Sequence, residues 1–203
     1  PSGGLGLNDN VDRSSPVQIP GTTWSTAYYA VSTSAAAGSY AIKTDGTFWA
    51  WGSTNANLGL NNATNYSSPK QVGTGTDWRS VHGQQSAPGV RQAFATKTDG
   101  SMWSWGSGTY GSLGQGNNTS YNSPKQIGTD TNWSSQTYGI NSKGGGVFVK
   151  TDGTLWSWGG NAGGYLGQGN KSPYNSPKQI GARTAWYRSG FVSEWVGNAT
   201  TLQ

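Results

Sequence analysis

The chain contains no cysteine, one histidine, His82, and one glutamate, Glu194. Without cysteine there is no disulfide framework and no thiolate metal site. A single imidazole leaves little from which to build a histidine-based zinc site. Only 10% of the residues are charged, so a general acid with a tuned pKa would have to come from very few groups. No Ser/His/Asp set, phosphate-binding loop or pair of carboxylates stands out, and the composition points away from an enzyme and from any cofactor or metal. No run approaches the roughly 18 apolar residues of a membrane span, and no segment reads as a secretory signal. The sequence opens on Pro1 rather than methionine, as a processed product or a fragment does.

What the chain has instead is 33 glycines and 11 tryptophans. Low charge with abundant Gly, Ser, Thr and Asn would by itself suggest disorder. The tryptophans argue against that, because ten of the 11 stand in register: Trp24, Trp78, Trp133 and Trp186, and the pairs Trp49/Trp51, Trp103/Trp105 and Trp156/Trp158. Only Trp195 stands outside the register. A periodic indole is the core of a repeat, since each ring removes roughly 150–250 Å² from water.

The repeat runs Leu-Gly, then Ser-Pro-x-Gln-Ile/Val, then a lone Trp, then Lys-Thr-Asp-Gly and Trp-x-Trp-Gly. Leu5, Leu58, Leu113 and Leu166 open its copies, with steps of 53, 55 and 53 residues. A fixed period of about 50 residues means stacked supersecondary units. Within a copy, Tyr40–Thr44 reads as a short strand. Asp45-Gly46 reads as a two-residue turn with left-handed dihedrals. Thr47–Trp51 reads as the returning strand. Alternation puts Trp49 and Trp51 on one face and Phe48 and Ala50 on the other. Both faces carry apolar residues (Met102/Ser104 and Leu155/Ser157 on the second face of the later copies), so the hairpin is expected to be covered on both sides. Pro16, Pro69, Pro124 and Pro177 predict strand starts or sheet edges, because proline has no ladder donor. The lone Trp begins a further strand. Four short strands per copy, without a helical period, predict an all-β chain built as a β-propeller.

These words resemble the RCC1-like repeat family, named after the regulator of chromosome condensation. The resemblance is carried by Ala41–Gly52, Asn57-Leu58-Gly59, Ser68-Pro69-Lys70-Gln71-Val72 and Trp78, and by their counterparts along the whole chain. It implies an RCC1-like propeller, usually seven-bladed. The family commonly has a Gly and a His shortly before the Ala-x-Lys strand. Here that place reads Ala37–Tyr40, Gly89–Gln92 or Gly144–Val147, and His82 falls earlier. The founder's nucleotide exchange on a small GTPase is therefore not carried over. Four Leu-Gly openings accompany only three Lys-Thr-Asp-Gly hairpins. Residues 1–203 thus read as one repeat domain, partial at both ends, within a larger ring; seven blades would need roughly 370 residues.

Two sets of residues are candidates for binding. The stretches between each lone Trp and the next Lys-Thr-Asp-Gly vary most, as loops on a rigid scaffold do. They hold Tyr28, Tyr29, His82, Arg91, Tyr138 and Trp195. The second set repeats: Tyr66, Tyr121 and Tyr174 stand three residues before the proline, and Lys70, Lys125 and Lys178 one after it. Arg13 and Val17 take those places in the first copy. On a propeller such positions form a rim suited to sugars or an acidic partner, although the same Tyr could pack between blades and the same Lys could keep an edge strand soluble. Asp45, Asp99 and Asp152 are turn residues. Asn8–Asp12 lacks the spaced ligand set and closing Glu of a calcium loop.

The net charge of +5 hints at an acidic partner. Six of the 13 basic residues belong to the repeat itself, and nucleic acid would need a denser basic stripe. The expectation is a non-catalytic binding or structural module that presents loops to a protein or glycan, or to further copies or segments completing the ring. The Asn/Thr/Ser/Gly-rich composition suggests a virion or bacterial surface. The alternative is an intracellular RCC1-like regulatory module engaging a GTPase or chromatin.

Overall fold

A computed structural model of the chain describes residues 3–27, 31–34, 38–53, 57–87, 90–140, 144–184 and 186. Its strands form three four-stranded antiparallel sheets. The first holds β1 (Val31–Ser34), β2 (Gly38–Ile42), β3 (Phe48–Gly52) and β4 (Tyr66–Gln71). The second holds β5 (Trp78–Ala87), β6 (Val90–Lys97), β7 (Met102–Gly106) and β8 (Tyr121–Gln126). The third holds β9 (Trp133–Ile140), β10 (Gly146–Lys150), β11 (Leu155–Gly159) and β12 (Tyr174–Gln179). In each sheet the strands pair in chain order. Among the described residues the only helical element is one 3-10 turn, Thr109–Gly111, and no helix is long and apolar enough to cross a membrane.

The structural unit is offset from the sequence copy. A sheet begins at or after the lone Trp and ends at the Gln of Ser-Pro-x-Gln, so the Leu-Gly loop lies between the third and fourth strands of one sheet. Pro69, Pro124 and Pro177 fall inside β4, β8 and β12, the last strand of each sheet. An edge strand can spare the missing donor, as expected.

The hairpin turn differs from the two-residue form. Lys43 N–H donates to Thr47 O, and Gly46 N–H to Lys43 O. The loop is therefore three residues, Thr44-Asp45-Gly46, with only Gly46 left-handed (φ 78°). This is a type I turn closed by a glycine bulge. The glycine also meets a second demand. A Cβ on Gly46 would lie 2.0 Å from Thr76 O, and one on Gly100 2.0 Å from Thr131 O. Each turn is pressed against the chain entering the next sheet, and there Trp78 N–H donates to Gly46 O (3.1 Å) and Trp133 N–H to Gly100 O (3.0 Å).

The variable stretches, where described, are strands rather than loops. His82 lies on β5 opposite Phe94, Arg91 on β6 opposite Gln85, and Tyr138 on β9 opposite Phe148. Their backbone donors and acceptors are taken up by antiparallel ladders, which tolerate varied side chains as long as the register holds. First strands also carry contacts between sheets: β5 touches β1 and β2, and β9 touches β5 and β6.

Stacked sheets cover both faces of the middle hairpin and one face of each outer hairpin. Tyr40 and Phe48 of the first sheet pack against Trp78 and Trp105 of the second. Phe94 and Met102 of the second pack with Trp133 and Trp158 of the third. Phe148 stacks flat on Trp158, at 3.9 Å and 4°. The buried Ser104 and Ser157 hydroxyls donate to Leu113 O and Leu166 O, so these polar groups are buried with partners.

The Leu-Gly word is a clasp onto the following sheet. Trp51 Nε1 donates to Gly4 O (3.0 Å), Trp105 Nε1 to Asn57 O (2.7 Å) and Trp158 Nε1 to Ser112 O (3.2 Å). Cβ atoms on Gly6, Gly59 and Gly114 would crowd those same indoles. Farther along the loops, Asn8, Asn61 and Gly116 N–H donate to Ser67, Asn122 and Asn175 O on the outer strands.

Candidate functional site

Three side-chain constellations repeat from sheet to sheet. The first lies beside the Asp-Gly turn. Asp45 Oδ1 accepts from Thr47 N–H (2.9 Å) and Thr47 Oγ1 (2.7 Å), and that hydroxyl accepts from Trp49 Nε1 (2.8 Å). Asp152, Thr154 and Trp156 repeat the chain of bonds. In the middle sheet, Asp99 accepts from Ser101 N–H and Ser101 Oγ from Trp103 Nε1. These hydrogen bonds, with the hydroxyl contribution first, hold the three carboxyls below the ordinary Asp range. The aspartates are turn residues, as the sequence implies.

The second constellation was not legible beforehand. The repeat lysine before each turn reaches between two indoles. Lys43 Nζ lies 5.3 Å from the Trp24 ring centre and 4.1 Å from that of Trp49. Lys97 Nζ lies 4.9 and 4.6 Å from Trp78 and Trp103, and Lys150 Nζ 4.7 and 4.0 Å from Trp133 and Trp156. An ammonium held over aromatic faces is attracted by their quadrupoles. The equal spacing of Lys and Trp in the copies was its only trace in the sequence.

The third constellation is the Tyr/Lys pair of the outer strands. Lys70 Nζ lies 5.7 Å from the Tyr66 ring centre, Lys125 Nζ 4.7 Å from Tyr121 and Lys178 Nζ 4.3 Å from Tyr174. Residues four apart on a strand share a face, which places each lysine over its tyrosine. An asparagine completes the unit: Asn62, Asn117 and Asn170 Nδ2 donate to the Tyr66, Tyr121 and Tyr174 hydroxyls (3.2, 3.2 and 2.9 Å). The Asn170 and Lys178 donors hold the Tyr174 phenol below its ordinary range, and Asn117, with the Lys125 charge, does so for Tyr121. All three lysines are exposed and all three tyrosines half-buried. Tyr66 and Tyr121 also touch the core between the first two sheets, so the same rings face both the core and the surface.

Of the variable-segment candidates, His82 and Arg91 lie on neighbouring strands of the second sheet and Tyr138 on the first strand of the third. His82 is largely buried, and burial pushes its imidazole down to about 3. It is neutral at physiological pH. Arg91 is half-buried, and its carbonyl accepts from Asn57 Nδ2 and Ser107 N–H (2.7 Å each). Tyr138 stands opposite Phe148 in the β9–β10 ladder. Tyr28, Tyr29 and Trp195 lie outside the described residues. In the first copy Arg13 pairs with Asp9 (2.7 Å) rather than with an aromatic ring.

Asn57 is a residue that sequence reasoning passed over. It is left-handed (φ 56°). Its carbonyl accepts from Tyr40 Oη (3.0 Å) and Trp105 Nε1, and its amide reaches Arg91 O. It thus joins the first two sheets at one point. Its place just before Leu58-Gly59 was the available signal.

Comparison with known proteins agrees with this architecture. The regulator of chromosome condensation (RCC1) repeat matches residues 99–139 and 152–186. The human E3 ubiquitin-protein ligase HERC2 is 29% identical over 181 residues, which is 88% of this chain and 4% of the ligase. Among solved structures, human WBSCR16 superposes with a TM-score of 0.66 at 21% identity, over 89% of this chain and 46% of that one. Prp20p from Saccharomyces cerevisiae does so with a TM-score of 0.57 at 16% identity, over 71% and 36%. The chain therefore spans less than half the length of each of these relatives. With its repeated words and its stacked four-stranded sheets, the chain has the RCC1-like β-propeller fold, and its residues 99–139 and 152–186 match the RCC1 repeat.

Proposed function

We propose that the chain is a non-catalytic binding module whose outer strands present a repeated cation-over-tyrosine unit to an acidic protein or glycan. The observation that carries this is the threefold Tyr/Lys/Asn arrangement at Tyr66/Lys70, Tyr121/Lys125 and Tyr174/Lys178. Each exposed ammonium is held by a ring beneath it. A preorganised donor loses less side-chain freedom when a ligand arrives, and three units in series add through effective concentration. A virion or bacterial surface suits the Asn/Thr/Ser/Gly-rich composition and the absence of cysteine. The sheets would then serve as one rigid part of a larger ring.

The test is the triple variant Lys70→Ala/Lys125→Ala/Lys178→Ala. It is expected to keep the wild-type circular dichroism and unfolding midpoint. It is also expected to lose at least tenfold in binding to the cells or particles with which the native protein co-purifies. Unchanged binding overturns the reading.

A second reading draws on the fold neighbours. The work on Prp20p concerns its binding to Gsp1p and histones, and yeast RCC1 (Prp20) has been crystallised bound to Kap60. A regulatory module engaging a GTPase or chromatin is the corresponding proposal here. Direct binding to a GTPase or to nucleosomes, insensitive to the triple lysine substitution, would favour it. The placement of His82, neutral and buried in β5, speaks against a histidine-dependent exchange surface.

A further inference from the structure

The three lysine–indole sandwiches are alike in their rings and unlike in their charge. Lys97 has a carboxylate, Asp77 Oδ1, at 3.2 Å, and Lys150 has Asp130 Oδ2 at 2.7 Å. The two acids come from different places in the loop that precedes the lone Trp. Asp77 stands one residue before Trp78, whereas Asp130 stands three before Trp133. Two independent positions thus deliver a carboxylate to the same spot. Around Gly75 the groups converge: a Cβ built there would lie 3.1 Å from Asp77 Oδ1, 3.2 Å from Trp78 Nε1 and 3.8 Å from Lys97 Nζ.

The first sheet has the same frame without the acid. Gly21 occupies the place of Gly75, and a Cβ on it would lie 3.3 Å from Trp24 Nε1. The residues before Trp24 are Gly21, Thr22 and Thr23, all exposed. Lys43 forms no ion pair among the described residues. The nearby turn carboxylate, Asp45, is committed to Thr47. Trp24 Nε1 is buried and has no hydrogen-bond partner among the described residues, as holds for the other lone indoles. Lys43 thus has the ring faces and the turn carboxylate Asp45, whose charge it feels as Lys97 and Lys150 feel theirs, but not the second carboxylate that pairs with each of those lysines.

We infer that the pocket formed by Trp24, Lys43 and Trp49 is a carboxylate-binding site that takes an aspartate side chain from a protein partner. A polypeptide loop carrying an aspartate is what fills the equivalent pockets of the second and third sheets, and the first sheet leaves the place open to one from outside. This site is separate from the Tyr/Lys units of the outer strands, so either can fail while the other stands.

The test uses the whole chain, labelled with nitrogen-15, and follows the indole N–H resonances at constant ionic strength. N-acetyl-aspartate N-methylamide is the probe, its asparagine analogue the neutral control, and glucuronate the sugar acid. The expected result is a saturable shift of the Trp24 resonance at least fivefold larger than those of Trp78 and Trp133, and absent with the asparagine analogue. Thr23→Asp supplies the acid as Asp77 does and should cut the shift below one fifth. Lys43→Gln removes the cation and should do the same, which keeps the test valid if one variant folds poorly. No saturable shift, an equal response at all three indoles, or an equal response to the asparagine analogue overturns the site. Binding of glucuronate tenfold tighter than the aspartate probe overturns a protein as the source. Retention of outer-strand binding in Lys43→Gln would show that the two surfaces fail independently.

Discussion

Leu5 and Leu58 are the same letter in two copies of one repeat, and they meet opposite fates. Leu5 is 46% exposed and Leu58 4%. Ile19, in the strand word of the first copy, is half-buried, whereas its counterpart Val72 in the second is 2% exposed. The difference is not in the local sequence. Residues 3–23 carry the Leu-Gly clasp and the Ser-Pro-x-Gln word, yet no strand is assigned there. The clasp forms forward, onto Trp51 of the first sheet, and none of the described sheets packs behind the first copy. A repeat unit buries its apolar face only against a neighbour. The contrast shows which words work alone and which need a partner sheet.

The sharpest way to break that comparison is at the clasped indoles. Trp105 is fully buried between two complete sheets, and Trp51 is buried against a segment without ladder bonds. Trp105→Ala is expected to cost about 3–5 kcal/mol in urea unfolding. Trp51→Ala should cost clearly less, because the segment over it can close on the cavity. Equal losses would mean that residues 3–23 are as firmly held as a sheet. The leucines give the next test. Leu113 is fully buried, and Leu113→Ala is expected to cost about 2–5 kcal/mol. Leu5→Ala, at a site already in water, should stay within about 0.5 kcal/mol of wild type.

The turn glycines separate backbone conformation from contact between sheets. Gly128 is left-handed (φ 59°) with nothing within 4 Å of a Cβ, whereas Gly100 (φ 81°) has Thr131 O at 2.0 Å. Gly128→Ala carries only the left-handed strain, roughly 1–2 kcal/mol. Gly100→Ala adds a displacement of the next sheet's entry chain, and overpacking of that kind costs about 1–3 kcal/mol more. Comparable midpoints for the two variants would remove the turn from the list of inter-sheet contacts.

These contrasts also explain how much could be read in advance. The period, the indole register and the proline positions are local demands repeated in every copy, so the sheets, the middle hairpin covered on both faces and the edge placement of Pro69, Pro124 and Pro177 were all legible. Asp-Gly satisfies both the two- and the three-residue geometry, and the turn takes the three-residue form, with Asp45 holding the Thr47 N–H and hydroxyl. His82 and Arg91 were placed in loops because Gly- and Ser-rich stretches look irregular, yet long antiparallel partners make them strands. The lysine sandwiches escaped notice because they join residues on three strands whose neighbourhood no single word records. The Tyr/Lys spacing was visible, and the structure adds the asparagine that holds each phenol.

Acid should divide the sheets most gently. Asp45, Asp99 and Asp152 have carboxyls below the ordinary 3.8. Their stabilisation is complete above that value and is lost as pH falls through the lowered ones, in all three sheets alike. His82 belongs to the second sheet only. Its imidazole falls from 6.5 to about 3 because burial disfavours the charged form, so the unfolded chain binds the proton first. The contribution is intact above pH 6.5 and is lost progressively as pH falls toward about 3. Between pH 6.5 and 4, therefore, amide protection factors, corrected for the slower intrinsic exchange in acid, should fall in β5 and β6 before β10 and β11. His82→Gln should flatten that slope while leaving the steeper loss below pH 4 in place. A uniform fall in protection across the sheets, or a slope unchanged in His82→Gln, would show that the imidazole is not what distinguishes the second sheet in acid.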